Sequence, residues 1–290
     1  MIRPDVLVQV QTVAAVLGLV VLWLLEGWWP FYADRKGRLR HAARNLSLAL
    51  INTVMLSVAF AGLTAASLAW AGRVGFGLLR WVQAPVWLET LAALLLIDAW
   101  MYGWHRANHR LPFLWRFHRV HHSDSEMDVT TAARFHVGEI ALSSLLRLAV
   151  FPLLGVALWQ ALLYEVILLP VIQFHHSNMA LQERWDRLMR WLVVTPNMHR
   201  LHHSRRRPET DSNYSSIFSF WDRLAKTFRQ VGDTHDLSLG LEGFDGEAWK
   251  TLPGLLRTPF TAPPTIERQG PVRPSGPAPE AVSPNITREL

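Results

Sequence analysis

PVWLETLAALLLIDAWMYGWHRANHRLPFLWRFHRVHHS, residues 85–123, joins an apolar helix to a histidine-rich one without a break. Its first part, 85–104, has the length that carries a helix across a hydrocarbon core of about 30 Å. Its second part places five histidines at helical spacing. His105 and His109 are four residues apart and share a helix face, and His118, His121 and His122 stand at i, i+3 and i+4, so one turn presents three imidazoles. HRLHHS at 199–204 repeats HRVHHS of 118–123 with one aliphatic exchange, adding His199, His202 and His203.

Outward from this stretch, residues 8–29 and 45–72 are two further apolar runs of spanning length. A fourth, 138–174, is interrupted at Phe151-Pro152 and Gly155 and reads as a hairpin of two shorter helices. The first run lacks a small-residue cleavage site and ends in Trp28, Trp29 and Pro30, so it is expected to be an anchor and not a removed signal. Several of the 14 tryptophans fall at span ends, where indole favours the membrane interface. The expected architecture is all-α: an integral membrane bundle of about four transmembrane helices with a cytoplasmic helical cap holding a His-rich dimetal site. The expected division is 1–84, an N-terminal transmembrane region; 85–245, the histidine domain; and 246–290, a Pro-rich tail without packed structure.

The formal charge of +6 does not mark a nucleic-acid binder, because the basic residues flank the spans instead of forming a patch interleaved with aromatics. Arg35, Lys36, Arg38, Arg40 and Arg44 crowd the segment after the first span, which places it in the cytoplasm by the positive-inside rule. Counting spans forward brings every histidine phrase to that same side, as in a multi-pass protein of a bacterial inner membrane. His41 and His235, outside the phrases, are expected to be solvated at the interface. Arg147, inside the hairpin, is expected to snorkel or to pair helices.

There is no cysteine, so the available metal ligands are imidazole and carboxylate. Eight phrase histidines exceed what one ion coordinates, and packed imidazoles without a cation would lack ring-nitrogen partners, so two ions sharing the cluster is the economical reading. Imidazole suits zinc, copper, iron and nickel alike. A metal transporter would set its ligands near the bilayer midplane, whereas these follow the span ends. A membrane cytochrome would leave the repeated phrase unexplained. A divergent lipid- or metal-binding protein that has lost catalysis stays open.

The order of short motifs carries a resemblance. DxxxYxxHRxxH (Asp98, Tyr102, His105, Arg106, His109), HRxHHS, RxH beside a Glu (Arg134, His136, Glu139), FxHxN (Phe174, His176, Asn178), PxxHxxHHS (Pro196 to Ser204), DxNY (Asp211, Asn213, Tyr214) and WDRL (Trp221 to Leu224) follow one another over roughly 90–230. The series resembles the fatty acid hydroxylase / sterol desaturase superfamily of integral membrane di-iron oxygenases. Val137, Ser215 and the pair Ala225-Lys226 depart from the residues usual there, Lys226 standing where that family has Gly; none is a ligand position.

The resemblance implies two iron ions bound by His105, His109, His118, His121, His122, His199, His202 and His203, with His136 and His176 as further ligands and His175 a neighbour. Around them it implies Asp98, Asp211 and Asn178 as outer partners; Asp98, two helical turns before His105, is expected to orient a ligating ring. No catalytic residue is expected beyond the metal centre. The implied activity is hydroxylation or desaturation of a lipid C–H bond (fatty acyl, sterol-like or isoprenoid) with O2. The electrons would come from an external donor such as a ferredoxin, a cytochrome b5-like protein or a reductase.

Overall fold

A computed structural model describes residues 2–33, 35–231 and 234–262. Among them the secondary structure is helical, with isolated bridges and no strand. Helix α1 (Pro4–Trp28) starts on a proline, whose fixed φ suits a first turn, with Asp5 beside it. It is apolar all round, and Val13, Leu17, Val20 and Leu24 are exposed; only Leu7 and Glu26 are buried. Such a surface is stable against lipid and not against water.

Helix α2 (Arg38–Met55) runs through a π turn (Leu56–Phe60) into α3 (Ala61–Val74). This rod of roughly 55 Å is far longer than the hydrocarbon core, so it begins seven residues before the expected span and its first turns project into the cap. That projecting part is amphipathic, burying His41, Ala42, Asn45, Leu48 and Asn52. His41 is therefore not a solvated interfacial residue. Its two ring nitrogens lie 2.9 Å from Asp124 and 3.0 Å from Asp128.

Helix α4 (Val86–Arg110) carries the opening stretch, and α5 (Pro112–His122) follows after a single extended residue, Leu111, which the next proline holds out of helical geometry. The 138–174 run is a hairpin, α6 (Val137–Leu154) and α7 (Leu158–His176), turning at Gly155. Gly155 and Gly77 both have positive φ, and a Cβ on Gly77 would lie 2.4 Å from the Gly155 backbone, so this turn packs backbone to backbone. Between the arms Arg147 donates to Glu165 at 2.8 Å, the helix-pairing role of the two expected for it. Among the described residues, five helical segments are long and apolar enough to cross a membrane: Pro4–Trp28, Arg38–Arg80, Val86–Arg110, Val137–Leu154 and Leu158–His176. The sequence suggested about four; each hairpin arm qualifies by itself.

The cap comprises α8 (Glu183–Met189), α9 (Pro196–His202), α10 (Arg207–Thr210), α11 (Phe220–Leu224) and α12 (Leu252–Arg257). The unpacked tail expected from 246 does not begin there: α12 lies against α2, and Leu255, Thr258 and Pro259 are buried. Leu252, Leu255 and Leu256 form a small apolar cluster with Leu48 and Val120, enough to hold this short segment. The rest of the tail, 263–290, lies outside the described residues. His235 is exposed and stacks on Phe31.

Candidate metal centre

Four helix ends converge. The last two turns of α4 offer His105 and His109, and the Pro112 turn folds α5 back so that His118 comes within 4.9 Å of both rings. The α7 end offers His175 and His176. Helix α9, with Thr195 accepting from the Met198 N–H and Pro196 in its first turn, offers His199 and His202, and His203 closes it.

Nine of these rings sort into two groups. His105, His109, His118, His122 and His202 form one; His121, His176, His199 and His203 form the other, and within each the ligand atoms lie within 4.8 Å of one another. Each hexapeptide straddles both. HRVHHS gives its i, i+4 pair to the first group and its i+3 ring to the second; HRLHHS does the reverse, His202 joining the first group and His199 and His203 the second.

Nitrogens that face inward have few partners of their own. His202 and His105 meet Nε2 to Nε2 at 3.0 Å, His176 and His121 at 3.1 Å, His199 and His176 at 2.9 Å, and His203 and His199 at 3.2 Å. His109 Nε2, His118 Nε2 and both nitrogens of His122 are buried without a hydrogen bond. Four of the Nδ1 atoms are held by oxygen: His105 Nδ1 by the Tyr214 carbonyl (2.8 Å), His202 Nδ1 by that of Ser212 (2.6 Å), His176 Nδ1 by that of Ile172 (2.8 Å) and His118 Nδ1 by Glu139 (2.9 Å), whereas those of His121, His199 and His203 are buried without a hydrogen bond. An N–H donated outward fixes the tautomer and leaves the Nε2 lone pair facing in, the state a metal takes. Burial first, then the neighbouring imidazoles, pushes His121, His122, His199, His202 and His203 well below the usual histidine range, so these rings are neutral. Buried neutral imidazoles with unsatisfied lone pairs fit a pair of transition-metal ions.

Other expected residues fall elsewhere. His136 joins neither group: it caps α6, accepting from the Gly138 N–H at 2.9 Å, and its other nitrogen lies 3.2 Å from the Leu256 carbonyl. Asp98 orients no histidine. It accepts from Tyr164, the Ile217 and Phe218 N–H groups and the Trp221 indole, pinning 217–221 to α4 and α7. Asn178 pairs with the Tyr32 backbone through both side-chain atoms and tethers the segment after α1. Asp211 does approach His109, at 3.4 Å. His175 is buried, its ring 4.1 Å from that of His199, and it belongs to neither group.

Four oxygen partners were not foreseen. Glu139 was visible only as part of a motif, and the carbonyls of Ile172, Ser212 and Tyr214 leave no side-chain signal. A local cue existed for two of them: Asn213, between Ser212 and Tyr214, sits at φ +53, a conformation Asn tolerates, with its amide bonded to the Met198 and Arg229 carbonyls. That turn aims both flanking carbonyls at ligand rings. Asp222 of WDRL steadies it by accepting from the Tyr214 and Ser215 N–H groups. Arg134 fastens the end of α5, donating to the Val120 carbonyl, Asn45 and Ser123.

Residues 90–227 match the family model described as fatty acid hydroxylase. Human alkylglycerol monooxygenase is 29% identical over 218 residues, covering 73% of this chain and 44% of that protein. Ornithine lipid hydroxylase OlsE of Rhizobium tropici is 28% identical over 161 residues (56% and 48%), and rat cholesterol 25-hydroxylase 28% over 185 (57% and 59%). The chain thus spans about half the length of these curated relatives. No solved structure matches it. The matched segment contains all nine grouped histidines and the oxygen partners of four of them, and it is through this segment that the chain is similar to the fatty acid hydroxylase family.

Proposed function

We propose that this protein is a membrane oxygenase that hydroxylates a C–H bond of a lipid, with His105, His109, His118, His122 and His202 holding one iron ion and His121, His176, His199 and His203 a second. The observation that carries this reading is the sorting of nine histidines, eight buried and His105 partly so, into two adjoining groups whose facing nitrogens either meet another imidazole or have no hydrogen bond. Hydroxylation is favoured over desaturation because the three relatives above are named as hydroxylases or monooxygenases. Iron bound there would supply dioxygen activation, with electrons from a donor outside the chain.

The chain's own residues set the conditions. Glu139 and the Ile172, Ser212 and Tyr214 carbonyls hold ring orientation, and Asp98 and Asp222 hold the loop that supplies two of those carbonyls. The apolar sides of α4, α6 and α7 keep the approach dry, and a lipid would enter sideways from the bilayer. The proposed histidine side is cytoplasmic, since the basic segment from Arg35 to Arg44 is at the same end: the Phe31 N–H bonds the Asn178 carbonyl, two residues past His176.

The test is to purify the protein from iron-replete cells, count its metal, and compare the lipids of membranes with and without it. Two irons per chain and a lipid gaining one oxygen atom, dependent on O2 and a reductant and lost in His203→Ala, are expected. Bound haem, or product formation undiminished in that variant, refutes the reading.

A further inference from the structure

One part of the cap does not stand clear of the spans. Asp98 lies in α4 seven residues before His105, which by the rise of a helix is about 10 Å back toward the membrane midplane. Tyr164, twelve residues before His176 on α7 and so about 18 Å back along that helix, donates to it at 2.7 Å. To this carboxylate, buried between two spans, the chain brings the Ile217 and Phe218 N–H groups at 3.2 and 3.0 Å and the Trp221 indole at 2.8 Å. Residues 217–221 therefore sit at the depth of the spans, although they follow all of them in sequence.

A second segment is tied to the first. Val193 and Phe218 form an antiparallel bridge, the Val194 N–H bonds the Ile217 carbonyl and the Ser219 N–H the Leu192 carbonyl, both at 3.0 Å. The Ser219 hydroxyl and Arg223 Nη2 donate to the Arg190 carbonyl at 2.6 and 2.7 Å. Non-helical backbone at bilayer depth has to find its partners within the protein, and these bonds supply them. The charges are answered as well: Arg190 is paired with Asp186 and Glu183, and Arg223 lies over the Trp191 ring. What the two segments turn outward is apolar, with Trp191 69%, Leu192 58% and Leu224 71% exposed. On the adjoining α8, Trp185 and Leu188 are exposed beside Arg184 and Arg187, the mixture of indole, aliphatic and basic side chains that suits a helix lying in the membrane interface.

We infer that segments 190–194 and 217–224 form a lip of the cap that dips into the leaflet on the histidine side, with acyl chains packed on Trp191, Leu192 and Leu224 and α8 at head-group level. The occupant of this face is the bilayer and not another protein, because the bonds to Asp98 hold the lip beside helices that lipid already surrounds. Left in water, so many large apolar side chains together would be a liability. The lip fixes how far the histidine groups stand from the hydrocarbon.

The chain has no cysteine, so single thiols report cleanly. Full-length Leu192→Cys and Leu224→Cys are labelled with an environment-sensitive fluorophore and placed in nanodiscs of phosphatidylcholine and phosphatidylglycerol. Leu17→Cys, exposed on α1, serves as the lipid-facing reference and Arg206→Cys, exposed at the start of α10, as the water-facing one. Labels at 192 and 224 are expected to match that at 17: emission shifted to the blue, quenched by phosphatidylcholine carrying a nitroxide on its acyl chain, and spared by iodide. The label at 206 should show the reverse. All four positions are exposed, and metal content and elution profile check that each variant folds; 192 and 224 lie on different segments, so either one decides if the other misfolds. Iodide quenching at 192 or 224 as strong as at 206 overturns the inference. So does shielding from both quenchers, which would mean that a second copy or another part of the chain covers this face.

Discussion

His122 and His203 lie ring on ring, 4.5 Å between centroids and 21° between planes, one from each histidine group and each at the same place in its hexapeptide. The two groups are therefore neighbours that share a wall. Removing a ring has different consequences on its two sides. His202→Ala leaves four imidazoles in its group, still a workable set, whereas His203→Ala leaves three. Metal analysis should find less metal retained in His203→Ala than in His202→Ala; equal loss would contradict the grouping.

Glu139 holds His118 Nδ1 and lies outside both groups. Glu139→Gln keeps the shape but removes the charge that favours this orientation. Metal affinity and turnover should fall roughly 10- to 100-fold with the fold intact by circular dichroism. A variant indistinguishable from wild type in both would show that this carboxylate does not position the ring.

Acid should destabilise the metal-free protein. His121, His122, His199, His202 and His203 are held below the unfolded histidine value of 6.5, so the unfolded chain binds more protons as pH falls beneath it. Stability is thus fully present above that value and is lost as pH falls below it, by up to ~1.4 kcal/mol per pH unit for each such ring. Thermal unfolding of chelator-treated protein in detergent, followed from about pH 7.5 to about pH 5.5, should show the midpoint falling only in the acidic part of that range. A flat profile would mean the rings are not held neutral.

Lys226 has φ +57, a left-handed backbone conformation that glycine adopts at no steric cost. A side chain there works against the left-handed backbone, so Lys226→Gly should stabilise the protein by up to ~1 kcal/mol without altering metal content. An unchanged or lowered unfolding midpoint would show that the lysine makes compensating contacts.

What was legible in the sequence was local. Spacings of three and four residues within one helix put His118, His121 and His122 together whatever the rest of the chain does, and apolar runs declare their spans one at a time. The misreadings involve partners far along the chain. Helical spacing put Asp98 near the face of His105, but its donors come from Tyr164 and 217–221. His41 looked solitary because Asp124 and Asp128 are more than eighty residues away. His136 belonged to a motif series, yet the nearest unsatisfied N–H, at the start of α6, claimed its ring. Backbone carbonyls, which hold three of the rings, have no letter in a sequence.

The sharing of each hexapeptide between both groups has a bearing on how the protein matures. Neither group is complete until α5 and α9 face each other, and the second also needs the end of α7. The hairpin that separates α5 from α9 in the chain must therefore be in the bilayer before a cation can be gripped on all sides. Loading would come last in assembly, and a chain caught half inserted would offer a passing ion only fragments of a nest, leaving it free to leave again.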